Sequence, residues 1–392
     1  MNQNNTLIPY FQPIIGIASG KIIGYEALAR QYNENNQVIS AGPIFSDKNI
    51  DITQLIEWDR SVRWQALEKF SQLNNNSYLT LNISSTWIDY INNLNTLPTL
   101  QMLDKLNINR KRIIIEITET ECDIDKLIKV VKTYRDNGLK VAIDDFGAGF
   151  SQLERVIAIK PDIIKIDMHL FKQAAKGGIA SDVVHLLTRL SKRTGCRIVC
   201  EGVETDEEFI FGLSCGAQFL QGYLFSEAKE EFQAELYYQK HIHSLRSKFL
   251  SRFLKNQTTK IKKINNIKHL IDRLKKTLQN DFNLNELATW NFEETGILRF
   301  YMCDNEGIQT SPNFNFSNNQ WFPDVTKIGF NWSWRSYFYH LLAMEQANIE
   351  KSNHFVTSEQ YKDFDSDFLC KTLSTRLDNN RILLVDIQAD WS

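Results

Sequence analysis

Short apolar runs that end in polar or acidic residues recur along the first part of the chain, at 10–14, 24–30, 78–83, 112–117, 139–144, 163–167, 197–201 and 219–225. Several are almost unbroken Ile, Val and Leu, the pattern of parallel strands covered on both faces. Segments of helical character lie between them. One covers 125–137 and is followed by Gly138; another covers 181–194 and is followed by Gly195, glycine being common just past a helix end. About eight strands alternating with helices predicts an α/β fold, a (β/α)8 barrel of the TIM type. Glu26, Asn82, Glu116, Asp144, Lys165, Glu201 and Gln221 each fall at the end of a different strand in this reading. In a barrel those ends converge on one mouth, whereas in an open sheet they would be strung along an edge.

The texture changes between about 228 and 279, where Gly and Pro vanish and Lys and Arg become frequent. Ile264, Ile267, Ile271, Leu274 and Leu278 follow a spacing of three and four, one face of a helix. The face is short, and it suits packing on its own chain as well as pairing with a second copy. Beyond 280, Ile297–Cys303 reads as a strand followed by the turn sequence Asp304-Asn305-Glu306-Gly307, and 381–387 reads as another strand. Trp290, Trp321, Trp332 and Trp334 fall in the same region. The expected division is therefore a barrel over 1–230, a helical linker over 231–280, and a small α+β domain over 281–392.

Composition narrows the function. The hydrophobic fraction of 43% suits folded cores, and a formal net charge of -2 argues against a surface made for nucleic acid. The basic residues Lys260, Lys262, Lys263, Lys268, Lys275 and Lys276 are read as a solvated helix face rather than a membrane or nucleic-acid patch. Residues 1–6 lack the pattern of a signal peptide, and no apolar run approaches the ~20 residues of a membrane helix. The six cysteines are scattered and none forms a CxxC pair, as expected of buried thiols in a reducing cytoplasm.

The strand ends bring candidate chemistry. Glu26, Glu116, Asp144, Asp145 and Glu201 cannot all ionise in one small site without added positive charge. Hard divalent ions such as Mg2+ or Mn2+ prefer oxygen ligands and would supply it, with Asn82 as a further ligand. The adjacent pair Asp144-Asp145 lets one carboxylate bridge two ions while its neighbour holds the second, an arrangement suited to in-line displacement at phosphorus. Lys165 is the one cation among these strand ends, placed to orient a water or balance charge. The competing reading of each acid alone is a cap or a surface ion pair. From the residues alone, metal-assisted hydrolysis of a phosphate ester is the furthest inference.

Local strings carry the reading further. Tyr25-Glu26-Ala27-Leu28-Ala29-Arg30 contains the EAL signature and an ExxxR extension, after Phe11-Gln12-Pro13-Ile14. Leu81-Asn82-Ile83-Ser84, Glu116-Ile117-Thr118-Glu119 and the DDFGxG[YF]S loop at 144–151 follow in order. Pro161-Asp162 with Ile164-Lys165-Ile166-Asp167, then Glu201-Gly202-Val203-Glu204 and Gln221-Gly222-Tyr223, complete the set. In these strings the chain resembles the EAL-domain family of bacterial second-messenger signalling. The resemblance implies hydrolysis of cyclic di-GMP to linear pGpG. It implies that Glu26, Asn82, Glu116, Asp144 and Asp145 hold two metal ions. It implies that Glu201 and Lys165 handle the attacking water, with Glu26 also counted as catalytic. Arg30 would bind a substrate phosphate, and Gln12, Leu28, Asp162 and Gln221 would lie near the nucleotide. Glu119, Gly147, Asp167 and Glu204 would support the site, and a homodimer is expected. The alternative is a receptor that binds cyclic di-GMP without hydrolysing it.

At the other end of the chain, Asn331-Trp332-Ser333-Trp334-Arg335-Ser336-Tyr337-Phe338 resembles a signature of PAS/Cache-like sensor domains. That resemblance implies a small-molecule site at Trp334, Arg335 and Tyr337, where an arginine beside aromatic rings can clamp an anion. The rival reading takes the rings as core and Arg335 as a structural partner.

Overall fold

The computed structural model describes residues 7–47, 49–84, 88, 90, 91, 93–117, 123–148, 152–280, 282, 284–287, 290, 292, 295–318, 320–347, 354–363 and 367–389. Two compact units divide the chain, Met1–Leu250 and Ser251–Ser392.

The first unit is built on strands β1 (Ile8–Gly16), β2 (Lys21–Tyr32), β3 (Val38–Ser40), β4 (Tyr78–Ile83), β5 (Ile113–Ile117), β6 (Lys140–Phe146), β7 (Ile163–Ile166), β8 (Arg197–Cys200) and β9 (Phe219–Leu220). Their order is β1-β9-β8-β7-β6-β5-β4-β2-β3, and a further pairing of β1 with β2 closes eight of them into a barrel. The helices are α1 (Gly42–Phe45), α2 (Ile52–Ser71), α3 (Pro98–Lys105), α4 (Ile124–Asp136), α5 (Gln152–Ile159), α6 (Met168–Ala175), α7 (Ile179–Thr194) and α8 (Asp206–Cys215). Local chemistry fixes their ends. Asp51 and Asp123 accept backbone N–H groups at the starts of α2 and α4, Thr205 and Glu208 form a capping box on α8, and Gly195 ends α7 in the left-handed conformation.

The (β/α)8 expectation holds with one local difference. Strand β1 runs antiparallel to both β2 and β9. Only residues 17–20 join it to β2, which is enough for a hairpin and far too little for a crossover helix. Alternation along each strand then sorts the side chains. Ile14, Ile114, Ala142, Ile163 and Val199 form an apolar cluster inside the barrel. Residues of the opposite parity, such as Leu79, Leu81, Ile113, Ile115, Val141 and Ile198, face the helices and make the main core with Phe70, Leu127 and Phe209. One step beyond the inner apolar layer, toward the strand C-termini, lie Asn82, Glu116, Asp144 and Lys165. The lengths of β2 and β9 differ most from the expected runs. Strand β2 continues six residues past Glu26, and β9 stops at Leu220.

Residues 229–238 return along the barrel, where Phe232 packs on Phe11 and Tyr25 and the Tyr25 hydroxyl donates to the Gln233 carbonyl. Helix α9 (Gln239–Leu278) follows. Its Ile242 and Leu245 belong to the core of the first unit.

In the second unit the later part of α9 buries Ile267, Ile271, Leu274 and Leu278 against strands of its own chain. The periodic face read from sequence therefore packs within the chain. The rest comprises α10 (Leu284–Leu287), β10 (Ile297–Cys303), β11 (Asn313–Ser317), β12 (Gln320–Asp324), α11 (Ser336–Gln346), β13 (Val356–Thr357), β14 (Tyr361–Lys362), β15 (Leu369–Arg376) and β16 (Ile382–Gln388). The sheet order is β12-β11-β10-β16-β15-β13, with β14 also on β15. Its two faces carry separate clusters, one with α9 and one with Tyr337, Phe338 and Leu341 of α11.

Candidate active site

The mouth of the barrel is organised around one buried ammonium. Lys165, 1% exposed, places Nζ 3.0 Å from Glu26 Oε2, 3.1 Å from Glu116 Oε2, 2.9 Å from Asp144 Oδ1 and 2.7 Å from Glu201 Oε1. An ammonium has three protons to donate, so four carboxylates exceed what it can satisfy. Glu26 is the best supported of them. Its Oε1 accepts from Asn82 Nδ2 at 2.9 Å and its Oε2 from Gln221 Nε2 at 2.7 Å. Burial, the largest influence, would raise its pKa, but Lys165, Asn82 and Gln221 together hold it below the usual range. The others go the opposite way. Burial, only partly offset by Lys165 and reinforced by neighbouring acids, holds Glu116 and Glu201 well above the carboxylate range and also raises Asp144. Asp145 is pushed up to about 6 by burial and by Asp144 beside it. Lys165 is held well above its ordinary value: burial opposes its charge, but the surrounding acids outweigh that.

The two consecutive aspartates reach the same space through a break in the strand. The pairing of β6 with β7 shifts register between Ile143 and Phe146, and Asp145 takes a left-handed φ of 51°. A regular strand would send neighbouring side chains to opposite faces. Here Asp144, Asp145 and Glu201 can bring carboxylate oxygens within 4.8 Å of one another, as can Glu26, Glu116 and Asp144. The loops carrying Glu201 and Gln221 are laced together as well. Val203 N–H donates to the Gln221 carbonyl at 3.0 Å and Leu224 N–H to the Val203 carbonyl at 2.9 Å. That approach needs Gly222, because a Cβ there would lie 2.2 Å from the Val203 backbone.

These residues fit divalent cations. Every donor in the set is a hard oxygen, as Mg2+, Mn2+ or Ca2+ require. Asp144 Oδ1 is buried without a hydrogen bond, its closeness to Lys165 being an ion pair of poor hydrogen-bond geometry. One ammonium stands among four carboxylates with Asp145 beside them, so the site is short of positive charge. Asn82 turns its Nδ2 toward Glu26, so its Oδ1 would be the ligand atom.

A family model described as the EAL domain matches residues 1–228. The chain belongs to the EAL-domain family. A second model, described as an EAL-domain associated signalling protein domain, matches residues 226–391. The Bacillus subtilis protein YkuI, an uncharacterised EAL-domain protein, is 26% identical over 97% of this chain and 94% of its own. Its crystal structure, in complex with substrate c-di-GMP and calcium, superposes with a TM-score of 0.86 at 25% identity, covering 98% of this chain and 96% of that one. Klebsiella pneumoniae BlrP1, in a manganese and cy-diGMP complex, matches with a TM-score of 0.51 and 29% identity over 58% of this chain and 57% of that one. The cyclic di-GMP phosphodiesterase PdeL of Escherichia coli is 24% identical over 57% of this chain and 63% of its own length. Members of the EAL family thus include cyclic di-GMP phosphodiesterases, and solved relatives hold calcium or manganese with the dinucleotide.

Around the EAL mouth, other expected residues are placed as follows. Gln12 on β1 accepts from Gln221 Nε2 at 3.0 Å and donates to the Ser226 carbonyl at 3.2 Å. Leu28, Arg30, Asn82 and Asp145 line a cleft of about 460 Å³ beside the carboxylates. Gly147 sits against Leu170 with φ 110°, where a Cβ would lie 2.4 Å from that side chain. Asp167 caps α6 through the His169 and Leu170 amides. Glu204 pairs with Lys172 at 2.7 Å. Glu119 lies outside the described residues. Asp162 is not brought to the mouth: it precedes β7 at the opposite end of the barrel, where its Oδ2 accepts from Val141 N–H.

The cleft also has a wall that sequence reasoning missed, Phe45 of α1 and Leu55, Asp59 and Arg63 of α2. Arg63, 2% exposed, pairs with Asp59 and donates to Thr99 Oγ1 at 2.9 Å. The available signal was an arginine set among Val62, Ala66, Leu67 and Phe70, with an aspartate one helical turn before it. In the second unit, the Arg335 guanidinium lies 4.2 Å from the ring centre of Trp334 and 5.8 Å from that of Tyr361, and its Nε is buried without a hydrogen bond. Trp334 is exposed, whereas Tyr337 is buried, which pushes its hydroxyl up to about 12.

Proposed function

We propose that this chain is a metal-dependent phosphodiesterase that opens cyclic di-GMP to linear pGpG. The observation that carries the reading is the buried group of four carboxylates around Lys165, with Asp145 beside them. Glu26, Asn82, Glu116 and Asp144 would hold one Mg2+ or Mn2+, and Asp145 a second shared with Asp144. Bound there, the ions would lend positive charge to the phosphate oxygens of the scissile ester. Glu201 accepts the proton of the attacking water, a role suited to a carboxylate held at the mouth 2.7 Å from the Lys165 ammonium, which favours its charged form. Lys165 fixes that carboxylate and the water it serves. Gln221 and Gln12 steady Glu26 from the far side. Arg30 and Leu28 receive part of the nucleotide in the neighbouring cleft.

Exposed apolar side chains on α5 (Leu153, Ile157) and α7 (Ile179, Leu186) support a homodimer. Free buried cysteines support a reducing, cytoplasmic setting. The C-terminal unit, in the PAS/Cache-like reading, regulates the barrel and takes a small anion at Arg335. The test of the catalytic reading is Glu201→Ala. It is expected to lower turnover by about a hundredfold or more, the scale of general-base loss, while binding of labelled cyclic di-GMP survives. Wild-type turnover in that variant would refute the assigned role. Binding by the wild type with no product at all would make the chain a receptor.

A further inference from the structure

From the end of the barrel opposite the mouth, a cavity of about 240 Å³ runs up the lumen, and its lining reaches Glu116, one of the mouth carboxylates. It exists because the inner layer is thinly filled there: Gly24 and Ala142 add little bulk and Thr80 not much more. The backbone keeps it so, since a Cβ on Gly24 would stand 3.0 Å from the Tyr78 carbonyl oxygen. The walls are apolar, from Ile14, Ile114, Ile163, Val199 and Phe219. Two features are not those of a mere packing void. At the deep end Thr80 is 2% exposed and its Oγ1 has no hydrogen-bond partner, although buried hydroxyls are nearly always satisfied. At the rim stand Lys140 and Arg197. Each lies over a wall ring, Lys140 Nζ 4.8 Å from the centre of Tyr78 and Arg197 Cζ 5.5 Å from that of Phe219. Among the described residues neither forms an ion pair. The acid between them, Asp162, is engaged by Val141 N–H and by Arg135 at 3.5 Å.

An apolar chamber with positive charge at its rim and an unmet hydroxyl at its end selects a molecule with the complementary order of groups. We propose that this cavity is a second ligand site, for a small organic anion. A body of a few carbons fills the lumen, a carboxylate or phosphate head lies between Lys140 and Arg197, and a polar atom at the far end meets Thr80. The N-terminal face of such a barrel ordinarily serves stability, so occupancy here would stiffen the strands that carry the mouth residues from below.

The test is calorimetric titration of the full chain with acetate, butyrate, 4-hydroxybutyrate and inorganic phosphate, with and without saturating cyclic di-GMP. Butyrate should bind more tightly than acetate or phosphate, and 4-hydroxybutyrate about fivefold more tightly than butyrate, one net hydrogen bond. Lys140→Gln and Arg197→Gln should each weaken binding about fivefold, the scale of one partly solvated charge contact, and Lys140→Arg should retain it. Thr80→Val should erase the advantage of the hydroxy acid alone. The proposal falls if no probe saturates, if both glutamine variants bind as the wild type does, or if cyclic di-GMP displaces the anion, which would place it in the mouth. Failure of the chain to bind cyclic di-GMP would count against the phosphodiesterase reading and leave this one standing.

Discussion

Lys165 is the residue on which the mouth depends most. Four carboxylates lean on its ammonium within 3.1 Å, and nothing else among the described residues offers them a comparable charge. Removing one partner from a buried ionic group costs about 3–5 kcal/mol. Lys165→Met should lose stability on that scale in metal-free buffer, with Mn2+ restoring part of it, as denaturant titration would measure. A second residue gives a pH signature far from the mouth. Asp386 is buried next to Arg299 and Thr372, and burial lifts it to about 6 despite them. A carboxyl whose folded pKa is raised favours the protonated form in the fold, so stability falls as pH rises from about 4 to 6. The whole effect is of the order of 3 kcal/mol. Asp386→Asn should flatten this part of the stability profile; a steeper fall in the variant would contradict it. Single residues were legible in sequence where a charged side chain ended an apolar run. Asp162 was placed near the nucleotide by the family resemblance alone, and the structure puts it at the other end of the barrel. It stands three residues before Lys165, and three residues of strand cross about 10 Å, the depth of the barrel.

Among the elements, the parallel strands were readable because both of their faces are apolar. The hairpin of β1 with β2 was not, because the two apolar runs look alike whichever way the chain travels. Its signal was the short 17–20 connection. The register shift in β6 was equally hidden: a pair of adjacent aspartates says nothing of a bulge until the neighbouring strand shows it. The helix α9 was legible in period but not in partner. Ile271 is fully buried in the core of the second unit, while Ile261, nearly three turns earlier, is 58% exposed. Ile271→Ala should therefore cost about 2–5 kcal/mol, and Ile261→Ala within about 0.5 kcal/mol. Similar losses at both sites in chemical denaturation of the full chain would mean that the exposed face has a partner.

For the whole molecule, order along the chain mattered more than any one string. Acids from β2, β5, β6 and the loop after β8 lie up to 175 residues apart in sequence, Glu26 to Glu201, and closure of eight strands brings them to one ammonium. Family membership extends the same reading, since the likeness to YkuI spans both units. What sequence could not supply was the depth of the lumen, the cleft wall from α2 and the inward packing of α9, all of which depend on long-range closure. The most direct test of the account strips the purified chain with a chelator, restores Mn2+, and follows cyclic di-GMP by chromatography, with Glu26→Ala alongside. The account predicts pGpG only in the wild type and only with the ion restored. Equal product without metal, or from Glu26→Ala, would contradict it.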